Sequence, residues 1–310
     1  MNEIKQKQIN YYNVKESDHN QRIDNLLVKL LKGVPKSHIY RIIRSGEVRI
    51  NKARCEASTK VALADIIRIP PIRIAATDID RSKTIPAGSF PVIFEDDYFL
   101  IINKPSGVAC HGGSGVAFGV IEQLRQGANY KFLELAHRLD KETSGILILA
   151  KKRLALVSIQ DMMRNNQITK EYYALTLGRW VDDKRNLKAP IHKYLNKDGE
   201  RRVKIDHEQG VFAHTIFTVI NKYTNYTLVN ADLQTGKTHQ IRIHCQHLGY
   251  PIAGDEKYGD FEINRQLQKS GLKRMFLHAH HMQFTHPLTG QNCELNCPLP
   301  PELSKFLEKI

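Results

Sequence analysis

Apolar positions in the first quarter of the chain recur at helical spacing. Ile23, Leu26, Leu27, Leu30 and Leu31 fall at i, i+3, i+4, i+7 and i+8, the stripe of an amphipathic helix that Gly33 stops. Pro35 opens a second helix with Lys36 and Ser37 in its first turn. Ile39, Ile42 and Ile43 form its apolar face, Lys36, Tyr40, Arg41 and Arg44 its other face, and Ser45-Gly46 ends it. Alternation over residues 48–51 and the run 66–69 predict two short strands, the second closed by Pro70-Pro71. The unit is two helices on a short sheet. Residues 76–89 then lose all periodicity; their polar composition, with Pro86 and Gly88, predicts a flexible linker.

Beyond the linker, short apolar runs are separated by turn residues. Residues 91–98 and 99–104 predict a hairpin that ends at Pro105-Ser106-Gly107. The run 146–150 predicts a buried strand entered through Thr143-Ser144-Gly145. Residues 153–166 predict a helix packed through Leu154, Val157 and Met162. In the strand predicted over 170–178, Tyr172, Ala174 and Thr176 face one way and Tyr173, Leu175 and Leu177 the other. With one face in the core, Tyr172 is left to line a site. Further strands are predicted at 212–223, 226–233 and 275–284. A helix capped by Thr238 buries Ile241, Cys245 and Leu248 and ends at Gly249. This many strands with short turns predicts an α+β fold, a mostly antiparallel sheet flanked by helices.

Charge changes this picture. The 310 residues carry 46 Lys and Arg against 32 Asp and Glu, a net +14 that points to a polyanionic partner, most often nucleic acid. Residues 1–83 hold 17 Lys and Arg against 9 Asp and Glu; the other 227 residues hold 29 against 23. The small unit is therefore the most basic part, and its helix face suits a phosphate backbone. Taken alone, that pattern equally fits a packing module with solvated charges. No apolar run reaches membrane-spanning length, the start lacks a secretory h-region, and five irregularly spaced cysteines argue for reduced thiols, so a cytoplasmic location is expected.

Most familiar cofactor motifs fail on spacing. Gly113, Gly115 and Gly119 miss the dinucleotide fingerprint by one residue, and Ala231 stands where a P-loop ending in Gly236-Lys237-Thr238 needs glycine. Cys293 and Cys297, with His278, His280 and His281 upstream, lack the second cysteine pair of a structural zinc site. No metal or small-molecule cofactor is expected. One carboxylate stands out: Asp140, between Arg138 and Lys141 and just before the 146–150 strand. Locally it reads either as a turn cap or as a reactive group kept ionised by neighbouring cations. Arg242, next to buried Ile241, is a candidate partner for a carboxylate.

Residues 137–145, His137-Arg138-Leu139-Asp140-Lys141-Glu142-Thr143-Ser144-Gly145, are similar to the signature of the RluA family of pseudouridine synthases. The likeness extends to Asn103-Lys104-Pro105-Ser106-Gly107, Lys170-Glu171-Tyr172, residues 235–244, Leu277-His278-Ala279 and Phe284-Thr285-His286-Pro287, in the family's order over about residues 90–300. Arg22-Ile23-Asp24, Pro35-Lys36-Ser37 and residues 45–51 resemble an S4 RNA-binding domain over about 20–75. The expected organisation is thus an S4-like domain at 20–75, a linker at 76–89 and a domain of pseudouridine synthase fold at 90–310.

The resemblance implies a reaction that breaks the N1–C1′ bond of a uridine, turns the base and rejoins it through C5, without metal, cofactor or energy source. Asp140 resembles the catalytic carboxylate, Arg242 the arginine that pairs with it and favours its ionised form, and Tyr172 the tyrosine that stacks on the flipped uracil. Arg138 resembles the side chain that fills the space the base leaves, and Lys170 adds charge nearby. In the S4-like part the implied RNA contacts are Lys36, Ser37, Arg41, Arg44, Arg49 and Lys52. The implied substrate is 23S ribosomal RNA or a precursor large ribosomal subunit, at several uridines near the peptidyl-transferase region; a monomer is the default expectation. Two other classes compete. A glycosidase-like hydrolase needs a carboxylate pair flanking the bond, which Asp140 and Glu142, two residues apart, do not supply. A noncatalytic RNA-binding protein fits the charge but has no need of the Asp140, Tyr172 and Arg242 set.

Overall fold

The computed structural model describes residues 8–31, 33–72, 88–113, 118–127, 130–197 and 199–310. The chain separates into two compact units, residues 1–84 and 85–310. The expected linker at 76–89 lies outside the described residues as far as residue 87, as do Ser114 and Gly115 of the glycine-rich loop.

In the first unit, β1 (Asn10–Asn13), α1 (Ile23–Leu30), α2 (Lys36–Arg44), β2 (Arg49–Ile50), β3 (Ala53–Arg54) and β4 (Ile66–Ile69) follow one another. The strands form an antiparallel sheet in the order β1-β4-β2-β3. The expected apolar faces of both helices are buried, with Leu26, Leu27, Ile39 and Ile42 packed on Tyr12, Ile67 and Ile69. Strands β1 and β3 are additions to the sequence reading. Asp24 joins the helices: it accepts from Arg22, from the Asn25 amide and from the Tyr40 hydroxyl of α2. Burial disfavours its charge, but these donors together hold its pKa below the usual carboxylate range. Asn51 and Lys52 link β2 to β3 as a two-residue turn with φ of 48° and 70°, the twist a tight hairpin requires.

The second unit runs β5 (Val92–Glu95), β6 (Phe99–Lys104), α3 (Val120–Gly127), β7 (Glu134–Leu135), β8 (Ser144–Ala150), α4 (Arg153–Arg164), β9 (Thr169–Leu177), β10 (Lys184–Lys188), β11 (Ile191–Leu195), β12 (Arg201–Ile205), β13 (His214–Lys222), β14 (Tyr226–Leu233), α5 (Gln240–His247), α6 (Phe261–Lys269), β15 (Leu277–Thr285), β16 (Asn292–Asn296) and α7 (Pro301–Leu307). Ten strands form one sheet along β10-β13-β14-β9-β15-β8-β6-β5, with β16 on β15 and β7 on β8. The β15–β8 pair is parallel; the other pairings are antiparallel. Strands β11 and β12 form a separate two-stranded hairpin. The fold is therefore α+β with a mostly antiparallel mixed sheet. Among the described residues no helix is long and apolar enough to cross a membrane.

Every residue of β8 is buried. Leu147 and Leu149 enter one core, Ile146, Ile148 and Ala150 the other, which explains its unbroken apolar run. Three expectations need correction. Both faces of β9 are packed, Tyr172 and Ala174 against one core and Leu175 and Leu177 against another, so Tyr172 reaches the site from inside a core. Leu154 is 62% exposed; α4 packs through Ala155, Leu156 and Ile159, one turn position away. Thr238 does not cap α5. His239 takes that position in a left-handed conformation, φ 52° and ψ 24°, with no side-chain cap bond.

Candidate active site

The loop 137–143 carries Asp140 to the point where β8 starts beside β15. Its backbone is held from several sides. Lys104 at the end of β6 is completely buried, and its Nζ donates to the carbonyls of Pro105 (2.8 Å), Val108 (2.8 Å) and Lys141 (3.1 Å). Burial lowers the Lys104 pKa to about 8. Ser106 Oγ donates to the Glu142 carbonyl and the Gly107 amide to that of Lys141. Cys110 Sγ lies 3.2 Å from both the amide and the carbonyl of Leu139. His137 Nε2 accepts the Ile148 amide, and Arg274 donates to Ser144 Oγ. The turn residue Gly145 has φ 110°, and a Cβ there would meet the Ala279 oxygen at 2.1 Å. Glycine is thus required where β8 lies against β15.

Asp140 is anchored through one oxygen. Arg242 Nη1 donates to Oδ2 at 3.2 Å, and His239 Nε2 is 3.7 Å from the same atom. Oδ1 has no side-chain partner among the described residues. The adjacent cations named in the sequence are not the ones that meet the carboxylate: Arg138 is exposed, and Lys141 is 3.9 Å from Glu142. The partner comes instead from α5, a hundred residues on.

Arg242 is itself immobilised. Its Nε and Nη2 grip the two oxygens of Asp255 at 2.8 and 2.7 Å, a bidentate pair with Asp255 wholly buried. Asp255 Oδ1 also accepts the Lys257 and Tyr258 amides, and the guanidinium sits 5.1 Å over the Tyr258 ring. Burial works against the charge on both partners. Their mutual attraction more than offsets it, raising the Arg242 pKa and lowering that of Asp255. Gln240 orders the preceding loop, donating to the His214 carbonyl and accepting from the Thr235 hydroxyl and the Lys237 amide.

A groove of about 2080 Å³ opens over Asp140, larger than a small-molecule pocket. It is lined by eleven Lys and Arg against four Asp and Glu, a balance suited to a polyanionic strand. Tyr172 and Lys170 reach it from β9, Arg138 from the Asp140 loop, and Lys193 and Arg201 from the β11–β12 hairpin. Burial raises the Tyr172 pKa, with Asp140 and Cys110 adding to the effect, so the phenol is held neutral; burial lowers that of Lys170. Among the described residues no group of three or more His, Cys, Asp or Glu is placed to hold a metal ion. His278 is a packing group, with Nδ1 on the Ser144 hydroxyl and Nε2 on the Cys297 carbonyl.

In the first unit, Lys36, Ser37, Arg41 and Arg44 are exposed on α2, Arg49 on β2 and Lys52 on the hairpin turn. Among the described residues these five cations form no ion pair with a carboxylate. The groove thus gathers Asp140, Tyr172, Arg242, Arg138 and Lys170, while the six S4-like positions cluster on the other unit. Sequence reasoning assigned no role to Lys104, His239, Asp255 or Tyr258. The signal for the last two is Gly254-Asp255-Glu256-Lys257-Tyr258-Gly259, a carboxylate and an aromatic between two glycines. Each of those glycines approaches backbone too closely for a Cβ.

Comparison with known proteins assigns both units to known families. Residues 98–247 match the family model described as RNA pseudouridylate synthase, and residues 21–67 match that of the S4 domain. A Pasteurella multocida protein named ribosomal large subunit pseudouridine synthase C is 46% identical over 302 residues, 95% of this chain and 91% of that protein. The protein of the same name from Escherichia coli K12 is 46% identical over 297 residues, 94% of this chain and 93% of that one. The solved structure of human RNA pseudouridylate synthase domain containing 4 is 25% identical with a TM-score of 0.58, covering 71% of this chain and 92% of that one. The chain belongs to the RNA pseudouridylate synthase family, in its form with an S4 domain.

Proposed function

We propose that this protein converts specific uridines of large-subunit ribosomal RNA to pseudouridine. The observation that carries this reading is Asp140: a carboxylate fixed through Oδ2 by an immobilised arginine, with no side-chain partner on Oδ1 among the described residues, on a basic groove large enough for a nucleic-acid strand. The names of the 46% identical relatives point to the same substrate.

In this reading the target nucleotide is flipped out of its helix into the groove, at a cost of a few kcal/mol in lost stacking. Arg138 occupies the space it leaves. Tyr172 presents its ring to the uracil, and Asp140 is the catalytic carboxylate through which the N1–C1′ bond breaks, by addition to the ring or the sugar and later departure, or by taking the 2′-hydrogen and returning it. The base turns and C5 bonds to C1′; the C5 proton is lost and N1 is protonated, so no atom is gained. Arg242 orients Asp140, and Lys170 offers positive charge to the nearby backbone. The S4 unit, residues 20–75, joins the catalytic unit, 90–310, through the 76–89 linker. It adds phosphate contacts from Lys36, Arg41, Arg44, Arg49 and Lys52, with Ser37 as a hydrogen-bonding partner. The protein works as a monomer in the cytoplasm, on 23S RNA or a precursor subunit, at several uridines near the peptidyl-transferase region.

Carbodiimide treatment and primer extension along large-subunit RNA from cells with and without the gene tests this reading. Discrete stops should vanish in the strain lacking the gene and return on complementation. Identical stop patterns in both strains would refute it.

A further inference from the structure

Tyr258 lies at the centre of a polar chain that the proposed reaction leaves unused. The Val203 amide, in β12, donates to Tyr258 Oη at 3.1 Å, and Oη lies 2.7 Å from His239 Nδ1. On the other side of that imidazole, Nε2 is 3.7 Å from Asp140 Oδ2, just beyond hydrogen-bond length. The left-handed backbone of His239 is a conformation that costs a non-glycine residue on the order of 1 kcal/mol. Such strain at a site residue asks for a functional reason.

The hydrogens can be counted. Oη already accepts one from Val203, and among the described residues the hydroxyl hydrogen has one acceptor in reach, His239 Nδ1. The arrangement that uses both is Val203 N–H to Oη and O–H to Nδ1, which leaves the imidazole proton on Nε2. We propose that His239 is a positioning residue for Asp140: Tyr258 holds its ring in the neutral Nε2–H tautomer, and that N–H faces the carboxylate as a second donor beside Arg242.

The surroundings keep the ring neutral. It is faced by Asp140, by Arg242 from α5, and by Asp255, Lys257 and Tyr258 from the segment after it. Burial above all, then Arg242 and Lys257, lower its pKa against the opposing pull of Asp140 and Asp255. A neutral imidazole has one N–H, so the tautomer decides whether Asp140 meets a donor or a lone pair. The β11–β12 hairpin grips the Tyr258 segment at further points: Arg202 donates to the Lys257 carbonyl at 3.1 Å, and Glu200 pairs with Lys257. A hairpin that lines the groove and the carboxylate on its floor are thus parts of one network.

The effect on turnover rests on the isomerase reading; the tautomer does not. Full-length protein labelled with ¹⁵N-histidine, with His239→Gln for assignment, should show a protonated Nε2 and a bare Nδ1 at His239 near neutral pH. A protonated Nδ1 overturns the proposal whatever the activity. In single turnovers at saturating RNA, Tyr258→Phe should bind RNA normally and react about tenfold more slowly, as the carboxylate loses the donor that faces it. Without the phenol the ring is free to take either neutral tautomer, so the ¹⁵N spectrum of Tyr258→Phe should show the single proton shared between Nδ1 and Nε2 near neutral pH. His239→Gln, which retains a side-chain N–H, should recover most of the rate that His239→Ala loses. A Tyr258→Phe spectrum like that of the wild type, or equal losses in the two His239 variants, overturns the proposal. A wild-type protein that forms no pseudouridine would refute the isomerase reading and leave the tautomer to the spectrum.

Discussion

At the scale of single residues, the site depends on one buried arginine serving two carboxylates. Arg242 uses Nε and Nη2 on Asp255 and Nη1 on Asp140, so its planar fork fixes the direction from which Asp140 is held. Lysine cannot reproduce that geometry. Arg242→Lys should therefore lower kcat about a hundredfold, with RNA affinity nearly unchanged, in single-turnover assays with parallel filter binding. Near-normal kcat would show that the fork is dispensable. The motif residues Asp140, Tyr172 and Arg242 were legible because each sits inside a distinctive string. Asp255 was not: a buried carboxylate is recognisable only from its partner, and that partner is a matter of tertiary structure. The same holds for the cation beside Asp140, which adjacency in sequence attributed to Arg138 and Lys141.

Among the elements, β8 and its entry are the most constrained. Gly145 sits where β8 meets β15 in parallel, with φ 110° and no room for a methyl group. Gly145→Ala should destabilise the protein by about 3 kcal/mol or more, seen as a lower midpoint in urea unfolding, since either the strand pair or the Asp140 loop must move. A midpoint equal to the wild type would show that the approach relaxes cheaply. Several elements could be read from period and punctuation, among them α1, α2, the β5–β6 hairpin, β8, β9 and β14. What could not be read depends on the rest of the fold. Strand β1 lacks a clear apolar alternation and is defined by pairing with β4. Leu154 is exposed because α4 turns Ala155, Leu156 and Ile159 to the core instead. The start of α5 is set by the strained His239 rather than by Thr238, which propensity favours.

For the whole molecule, charge and pH act on different parts. On the first unit, Lys36→Ala with Arg41→Ala should weaken RNA binding and reduce the slope of log affinity against log salt by about 1.4, two phosphate contacts on a single strand. An unchanged slope would mean that α2 does not lie along the backbone. In the second unit, His244 and His278 are fully buried, and burial lowers both pKa values to about 4 from 6.5. The unfolded chain takes up these protons first, so their stabilisation is complete above about pH 6.5 and is lost as pH falls toward 4, by at most about 3 kcal/mol each. Urea midpoints should drop across that window, and His278→Gln should flatten the drop; an unaltered slope in that variant would remove His278 from the account. Net charge pointed to a nucleic-acid partner from the sequence, but the basic groove proposed to receive it is assembled from loops far apart in the chain. The central claim, that Asp140 performs the isomerisation, is tested most directly with purified protein and a large-subunit RNA transcript, mapping pseudouridine by carbodiimide and primer extension. Wild-type protein should produce discrete stops, and Asp140→Ala should produce none while binding the transcript with affinity within about threefold. Pseudouridine formed by Asp140→Ala would contradict the account.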